Sequence, residues 1–157
     1  MKREDTVDYN IKVAWHAISR MYNQYGADFD VTASTGFVLL NIDSEEGTPA
    51  TKIAPLMGLE ARSLTRMLKT MEDKKWIYRK KDSNDGRSVR IYLTDLGKEK
   101  REFSRLAVKE FNTKVHEIVP EEDIKTFIDV TRKVTQLIED KTLFDKLAEA
   151  FIYETKH

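Results

Sequence analysis

The sequence predicts a mainly α-helical fold interrupted by one small β-hairpin. Three observations predict it. Apolar side chains recur at three- and four-residue spacing along most of the 157 residues. Residues 76–93 instead read as two short strands on either side of a turn-rich loop, the second alternating apolar and polar side chains. The chain has only three prolines and six glycines, and most of them fall between the periodic segments.

Taken in order, Val7, Ile11, Ala14, Trp15, Ile18, Met21, Tyr22 and Tyr25 mark a first helix over 7–25, ended by Gly26 and Asp28. Thr32 can cap a second helix that carries Phe37, Val38, Leu39, Leu40 and Ile42 and ends near Glu46-Gly47. Its nearly continuous apolar run also fits a buried strand; its length favours helix. Thr48-Pro49 restarts the chain into a helix to about Met57, short or kinked because Pro55 has no N–H to donate. Gly58 breaks the pattern, and a fourth helix over 61–74 buries Leu64, Met67, Leu68 and Met71. Residues 76–81 read as a strand and 82–87 as a turn. Val89, Ile91 and Leu93 alternate with Arg90 and Tyr92 in a returning strand. Thr94 caps a long helix with Leu96, Phe103, Leu106, Ala107, Phe111, Val115 and Ile118. After Pro120, Glu121, Glu122 and Asp123 suit the first turn of a sixth helix carrying Ile124, Phe127, Ile128, Val134, Leu137 and Ile138. A last amphipathic segment over 142–152 shows Leu143, Phe144, Leu147, Ala148, Phe151 and Ile152.

Composition narrows the function classes. With 40% hydrophobic and 34% charged residues, one domain, or two small ones sharing a core, is expected. No run of about 18 apolar residues occurs, and the first five residues lack the apolar stretch of a signal peptide. A cytoplasmic protein with no membrane partner is the expectation. The absence of cysteine excludes disulfides, thiolate zinc sites and thiol switching. His16, His116 and His157 show no paired ligand spacing, so no metal is expected. No glycine-rich dinucleotide motif, P-loop or nucleophile motif is present, so neither catalytic residues nor a cofactor are expected.

Charge is zero overall, with 27 basic and 27 acidic side chains, which on its face argues against nucleic acid. The distribution says otherwise. Residues 60–105 hold 14 basic and 8 acidic side chains, net +6, and each flank is net −3. Such an island is a candidate phosphate footprint.

The motif inside it begins at residues 51–70, TKIAPLMGLEARSLTRMLKT. A helix-turn-helix needs a small residue where two helices touch, a glycine-like turn, and an apolar inner face. Ala54 is the small contact and Gly58 the turn, with Ile53, Met57, Leu59, Leu64 and Met67 facing inward. Arg62, Ser63, Thr65, Arg66 and Lys69 are left outside, the residue types that reach base edges and phosphates. The hairpin that follows is placed as a wing, with Asp85 and Arg87 at its tip and Lys80 and Arg90 on its strands. A narrow minor groove attracts an inserted arginine such as Arg87.

Residues 82–97, DSNDGRSVRIYLTDLG, resemble the wing signature of the MarR family of bacterial winged-helix regulators. The matching parts are Asp85-Gly86-Arg87, the strand to Leu93, and Leu93-Thr94-Asp95-Leu96-Gly97. Residues 64–79, LTRMLKTMEDKKWIYR, are similar to the family's recognition helix running into the first wing strand. With the helix order, the resemblance spans roughly residues 7–140. Lys75 stands where the family often has glycine, which implies a left-handed helix end in a non-glycine residue. Pro55 is unusual for the family, and the segment 142–152 extends past its usual end.

The resemblance implies a fold of winged helix-turn-helix plus a helical dimerisation region, with 1–30 and 95–157 dimerising and 31–94 binding DNA. It implies a homodimer on a palindromic double-stranded operator, with repression as the family's usual mode. Arg62, Ser63, Thr65 and Arg66 would then lie nearest the bases. Thr51, Lys52, Lys69 and Lys80 would lie nearest phosphates, with Asp85, Arg87 and Arg90 contributed by the wing. Family members are commonly released by small aromatic or lipophilic anions or by thiol oxidation, and the second route is closed here. A pocket between the first, second and fifth helices, using Trp15, His16, Arg20 and Phe37, would suit an anionic aromatic or acyl-type effector. The competing reading is a winged helix used for protein contacts, with neither DNA nor a ligand response.

Overall fold

A computed structural model describes residues 1–140 and 142–156. The chain divides into two compact units, Met1–Glu110 and Phe111–His157. In the first, α1 (Val7–Gly26) is followed by α2 (Ala33–Leu40), β1 (Thr48–Pro49), α3 (Ala50–Met57), α4 (Ala61–Asp73), β2 (Ile77–Lys81), β3 (Val89–Leu93) and the start of α5 (Asp95–Ile118). The second holds the end of α5, then α6 (Glu121–Glu139) and α7 (Thr142–Lys156). His157 and the side chain of Ile152 lie outside the described residues.

The helix starts follow local chemistry. Thr32 and Thr35 form a reciprocal capping box at α2: the Thr32 hydroxyl accepts the Thr35 N–H at 3.1 Å, and the Thr35 hydroxyl accepts the Thr32 N–H at 2.9 Å. Thr94 Oγ1 accepts the Gly97 N–H at 3.0 Å and starts α5. Helix ends depart from expectation in two places. α1 runs through Gly26 into a 3-10 turn, Ala27–Phe29, and the chain reverses at Asp30, which is left-handed with φ 58°. α2 stops at Leu40 instead of continuing to Glu46. The cause is side-chain competition for the backbone. Asn41 Nδ2 donates to the Phe37 carbonyl at 2.9 Å, and Asp43 Oδ1 accepts from Glu45 N at 2.8 Å and Glu46 N at 2.7 Å.

The early stop leaves room for an element that the pattern does not predict. Thr48–Pro49 forms a third strand, and the antiparallel sheet has the order β1-β3-β2. Thr48 pairs with Ile91 and Pro49 with Arg90. Proline is tolerated because β1 is an edge strand. The hairpin register pairs Tyr78 with Tyr92 and Lys80 with Arg90. α4 ends as the resemblance implies, with Lys75 left-handed at φ 61° and the Trp76 N–H returning to the Met71 carbonyl at 2.9 Å. Trp76 therefore precedes β2 and packs into the core, only 2% exposed.

The core of the first unit joins Val38, Leu39, Ile42, Ile53, Met71, Ile77 and Ile91, all essentially excluded from solvent. In the second unit no described side chain is fully buried, and Phe127, Leu137, Phe144, Leu147 and Phe151 are exposed. Among the described residues no helix is long and apolar enough to cross a membrane.

Candidate nucleic-acid interface

α3 and α4 meet through a tight turn. Gly58 is left-handed (φ 61°), its N–H donates to the Pro55 carbonyl at 3.1 Å, and the Leu59 N–H reaches the Ala54 carbonyl at 3.0 Å. Ala54 is buried at the contact, as are Ile53, Leu64, Leu68 and Met71, with Met57 and Met67 partly covered. Leu59 does not join this inner face; it lies within the turn, not on a helix, and stays exposed.

With that stripe turned inward, Arg62, Ser63, Thr65, Arg66 and Lys69 all stand in solvent on α4. Among the described residues no ion pair or side-chain hydrogen bond engages Arg62, Arg66 or Lys69. Thr65 spends its hydroxyl proton on the Ala61 carbonyl at 2.9 Å, which leaves the oxygen to accept. Thr51 and Lys52 are exposed in the first turn of α3.

The wing is stiffened from within. Arg79 ties β2 to α4 through Glu72 at 3.1 Å. Tyr78 and Tyr92 stack at 5.4 Å, and the Lys80 ammonium lies 5.4 Å and 5.7 Å from their ring centres, a cation–π arrangement that keeps its charge at the surface. At the tip, Asp82 accepts the Asn84 N–H at 2.8 Å, and Asp85 accepts the Arg87 N–H at 3.0 Å. This turn leaves the Arg87 side chain exposed. Arg90 differs from the other expected DNA ligands. Its side chain is only 23% exposed and pairs with Asp82 at 3.0 Å, because β3 points it inward against the turn before β1.

The Asn84 amide, then the Arg90 guanidinium, hold the Asp82 carboxyl below its ordinary value of 3.8, against the opposing effect of burial. A depressed folded-state value contributes stability that is complete above 3.8 and is lost as the pH falls through the folded value. The wing tip is therefore expected to hold at neutral pH and to loosen only on acidification below 3.8. The Asn84 amide resonance followed against pH checks this; a transition above 3.8 contradicts it.

A cavity of about 300 Å³, counted to its open mouth, lies between α1, α2 and the first part of α5. Tyr22, Tyr25, Val31, Gly36, Phe37 and Phe103 are among its walls. Of the four side chains expected there, only Phe37 lines it. α2 is short and meets the last turns of α1, where Asn23 Oδ1 accepts the Ala33 N–H at 2.8 Å. Trp15 lies two turns earlier, 49% exposed and 5.8 Å from the Phe37 ring, and His16 and Arg20 face solvent. The cation expected from them does not reach the cavity, and no charged side chain is in its lining. Tyr22 and Tyr25 lie on the same apolar stripe of α1 as Trp15, and Phe103 on that of α5; the pattern does not show which turns of α1 meet α2.

A helix pair with its second helix outermost, followed by a hairpin that completes a three-stranded sheet and carries a basic tip, is a winged helix-turn-helix. Residues 31–89 match the MarR family model. The HTH-type transcriptional regulator SarZ of Staphylococcus aureus strain MRSA252 is 32% identical over 96 residues, which is 60% of this chain and 65% of that protein. The chain thus spans just under two-thirds of the curated relatives it matches. The transcriptional regulator SlyA has a TM-score of 0.75 at 21% identity, covering 86% of this chain and 95% of that one. The MepR–DNA complex of S. aureus has a TM-score of 0.72 at 25% identity, covering 84% and 98%. The fold is thus a winged helix-turn-helix, and over residues 31–89 it is similar to the MarR family.

Proposed function

We propose that this chain is a sequence-specific DNA-binding transcriptional regulator, not an enzyme, that acts in the cytoplasm as a homodimeric repressor on a palindromic operator. The observation that carries the reading is the set of unengaged Arg62, Ser63 and Arg66 on the outer face of α4, with Arg87 exposed at the wing tip of the same domain. A related fold of 25% identity has been solved as a DNA complex. α4 would enter the major groove with Arg62, Ser63, Thr65 and Arg66 toward the bases. Thr51, Lys52, Lys69 and Lys80 would meet phosphates, and Arg87 the minor groove. Asp85 would act by shaping the tip, since its carboxylate holds the Arg87 amide.

Residues 31–94 would carry the DNA contacts, and 1–30 with 95–157 the dimer. Exposed Val7, Ile11 and Trp15 on α1 and Phe127, Leu137 and Phe144 farther on are apolar surface that a second copy would cover. The two winged domains would then address half-sites about one helical turn apart. The apolar cavity suits the aromatic or acyl part of a small-molecule effector, its anionic group staying at the mouth.

A mobility-shift assay with the DNA upstream of the chain's own coding sequence, against a scrambled duplex, tests the reading. Preferential retention of the upstream duplex is the expected result, and equal or absent retention would favour a protein-contact module. Within that assay, Arg87→Ala is expected to weaken binding several-fold and to reduce the salt slope by about 0.9. An unchanged slope across a salt titration would remove the wing tip from the interface.

A further inference from the structure

One arginine side chain bridges the wing tip and the turn before β1. Arg90 Nε and Nη2 each lie 3.0 Å from Asp82 Oδ2. Its Nη1 donates to the carbonyls of Gly47 at 3.1 Å and Glu46 at 3.3 Å. One guanidinium thus joins two loops that are more than thirty residues apart in sequence.

Each loop is built around that contact. Asp82 is 8% exposed, and its other oxygen accepts the Asn84 N–H. The Ser88 N–H closes on the Asp85 carbonyl at 2.9 Å, and the Arg87 N–H on the Asp85 carboxylate. The segment that presents Arg87 is therefore suspended from Asp82. On the other side, Asp43 organises the turn between α2 and β1 through Glu45 N and Glu46 N, and its own N–H donates to Thr48 Oγ1 at 2.9 Å. Gly47 is left-handed (φ 66°), and a Cβ there would fall 2.6 Å from the Ile91 carbonyl and 2.8 Å from the Tyr92 ring. The turn is pressed against β3 with no space to spare.

A planar guanidinium with a fixed fork of donors suits this bridge, and a lysine cannot span it. A partly buried pair also escapes most of the screening that weakens surface pairs. With its donors spent on Asp82 and two carbonyls, Arg90 has little left for a phosphate.

We propose that Arg90 is a positioning residue: it ties the wing to the α2–β1 turn and, through Asp82, sets where Arg87 meets DNA. Its consequence for DNA rests on the regulator reading above; the tie itself does not.

The test uses the full chain and two readouts. The first needs no DNA: {1H}–15N NOE values of Asn84, Asp85 and Arg87 in the parent, Arg90→Gln, Arg90→Lys and Asp82→Asn. Parent values close to those of β3 are expected, with a clear drop in Arg90→Gln and Asp82→Asn and at most partial recovery in Arg90→Lys. Unchanged tip values in Arg90→Gln and Asp82→Asn would overturn the tie, and the unaltered Met71 and Leu68 amides report that each variant remains folded. The second readout is a double-mutant cycle on the operator duplex. Arg90→Gln is expected to weaken binding about as much as Arg87→Ala, and the double variant to fall within a factor of about two of Arg87→Ala alone. Additive losses, with a further drop of about 0.9 in salt slope, would make Arg90 a phosphate ligand and overturn the proposal. A parent that binds no duplex would end the regulator reading, while the NOE values would still decide the tie.

Discussion

Gly97→Ala is expected to destabilise the protein by about 2 kcal/mol or more, lowering Tm by roughly 4–8 °C. Gly97 sits in the first turn of α5, where the wing hands the chain back to a helix. A Cβ there would lie 1.9 Å from the carbonyl oxygen of Trp76. That oxygen cannot retreat cheaply. It accepts the Thr94 N–H at 3.0 Å, and the indole of the same residue is 2% exposed, with the Lys74 and Lys100 ammonium groups 5.0 Å and 5.7 Å from its ring centre. Alanine would gain up to about 1 kcal/mol of helix propensity. Overpacking against fixed backbone costs about 3 kcal/mol or more, so the clash decides the sign. Gly86→Ala is the control: a Cβ at the wing tip meets nothing within 4 Å, and little change is expected. Thermal melts of both variants check the pair, and equal Tm values would refute the account.

The largest functional effect is expected at Arg66. It projects from the middle of α4, on the side away from buried Leu64, Leu68 and Met71. Because no partner on its own chain holds it among the described residues, binding DNA would require no bond to be broken first. A bidentate arginine–guanine contact is worth about 1–3 kcal/mol of discrimination. Arg66→Ala should therefore cost about 5- to 150-fold in operator affinity and flatten preference at one operator position. Its α-helical surface position should leave Tm nearly unchanged. The check is affinity for the operator and for its single-base variants, measured at one salt concentration. A uniform loss across all sequences would reassign Arg66 to the phosphate backbone.

Much of this was legible in the residues because it is local. The α4 stripe of Leu64, Met67, Leu68 and Met71 fixes which face points inward, and so leaves Arg62 and Arg66 outside by subtraction. The alternation of Val89, Ile91 and Leu93 predicts β3 with its observed bounds. Thr32 and Thr94 announce their helices by capping chemistry, and Lys75 adopts the left-handed end implied where related chains often have glycine.

What escaped was set by partners distant in sequence. β1 is two residues long and is a strand only because Ile91 and Arg90 lie beside it. The end of α2 is the local exception: Asn41 and Asp43 outcompete the helix where the apolar run gives out at Ile42. Trp15 and Tyr22 share one stripe, and which of them faces the cavity follows from how short α2 is. Arg90 reads as one more basic wing residue until Asp82 and the Gly47 carbonyl are seen around it.

The zero net charge shows the same division. The sequence by itself determined that a +6 segment lies between two acidic flanks, and that this segment carries the helix pair and hairpin. Only the fold shows which of those cations have no ion-pair partner among the described residues. Arg62, Arg66, Lys69 and Arg87 stand in solvent, whereas Arg79, Lys74 and Arg90 are spent on Glu72, Asp30 and Asp82. Charge is a property of each residue, but its availability is a property of the distance to the nearest opposite charge, and only folding sets that distance.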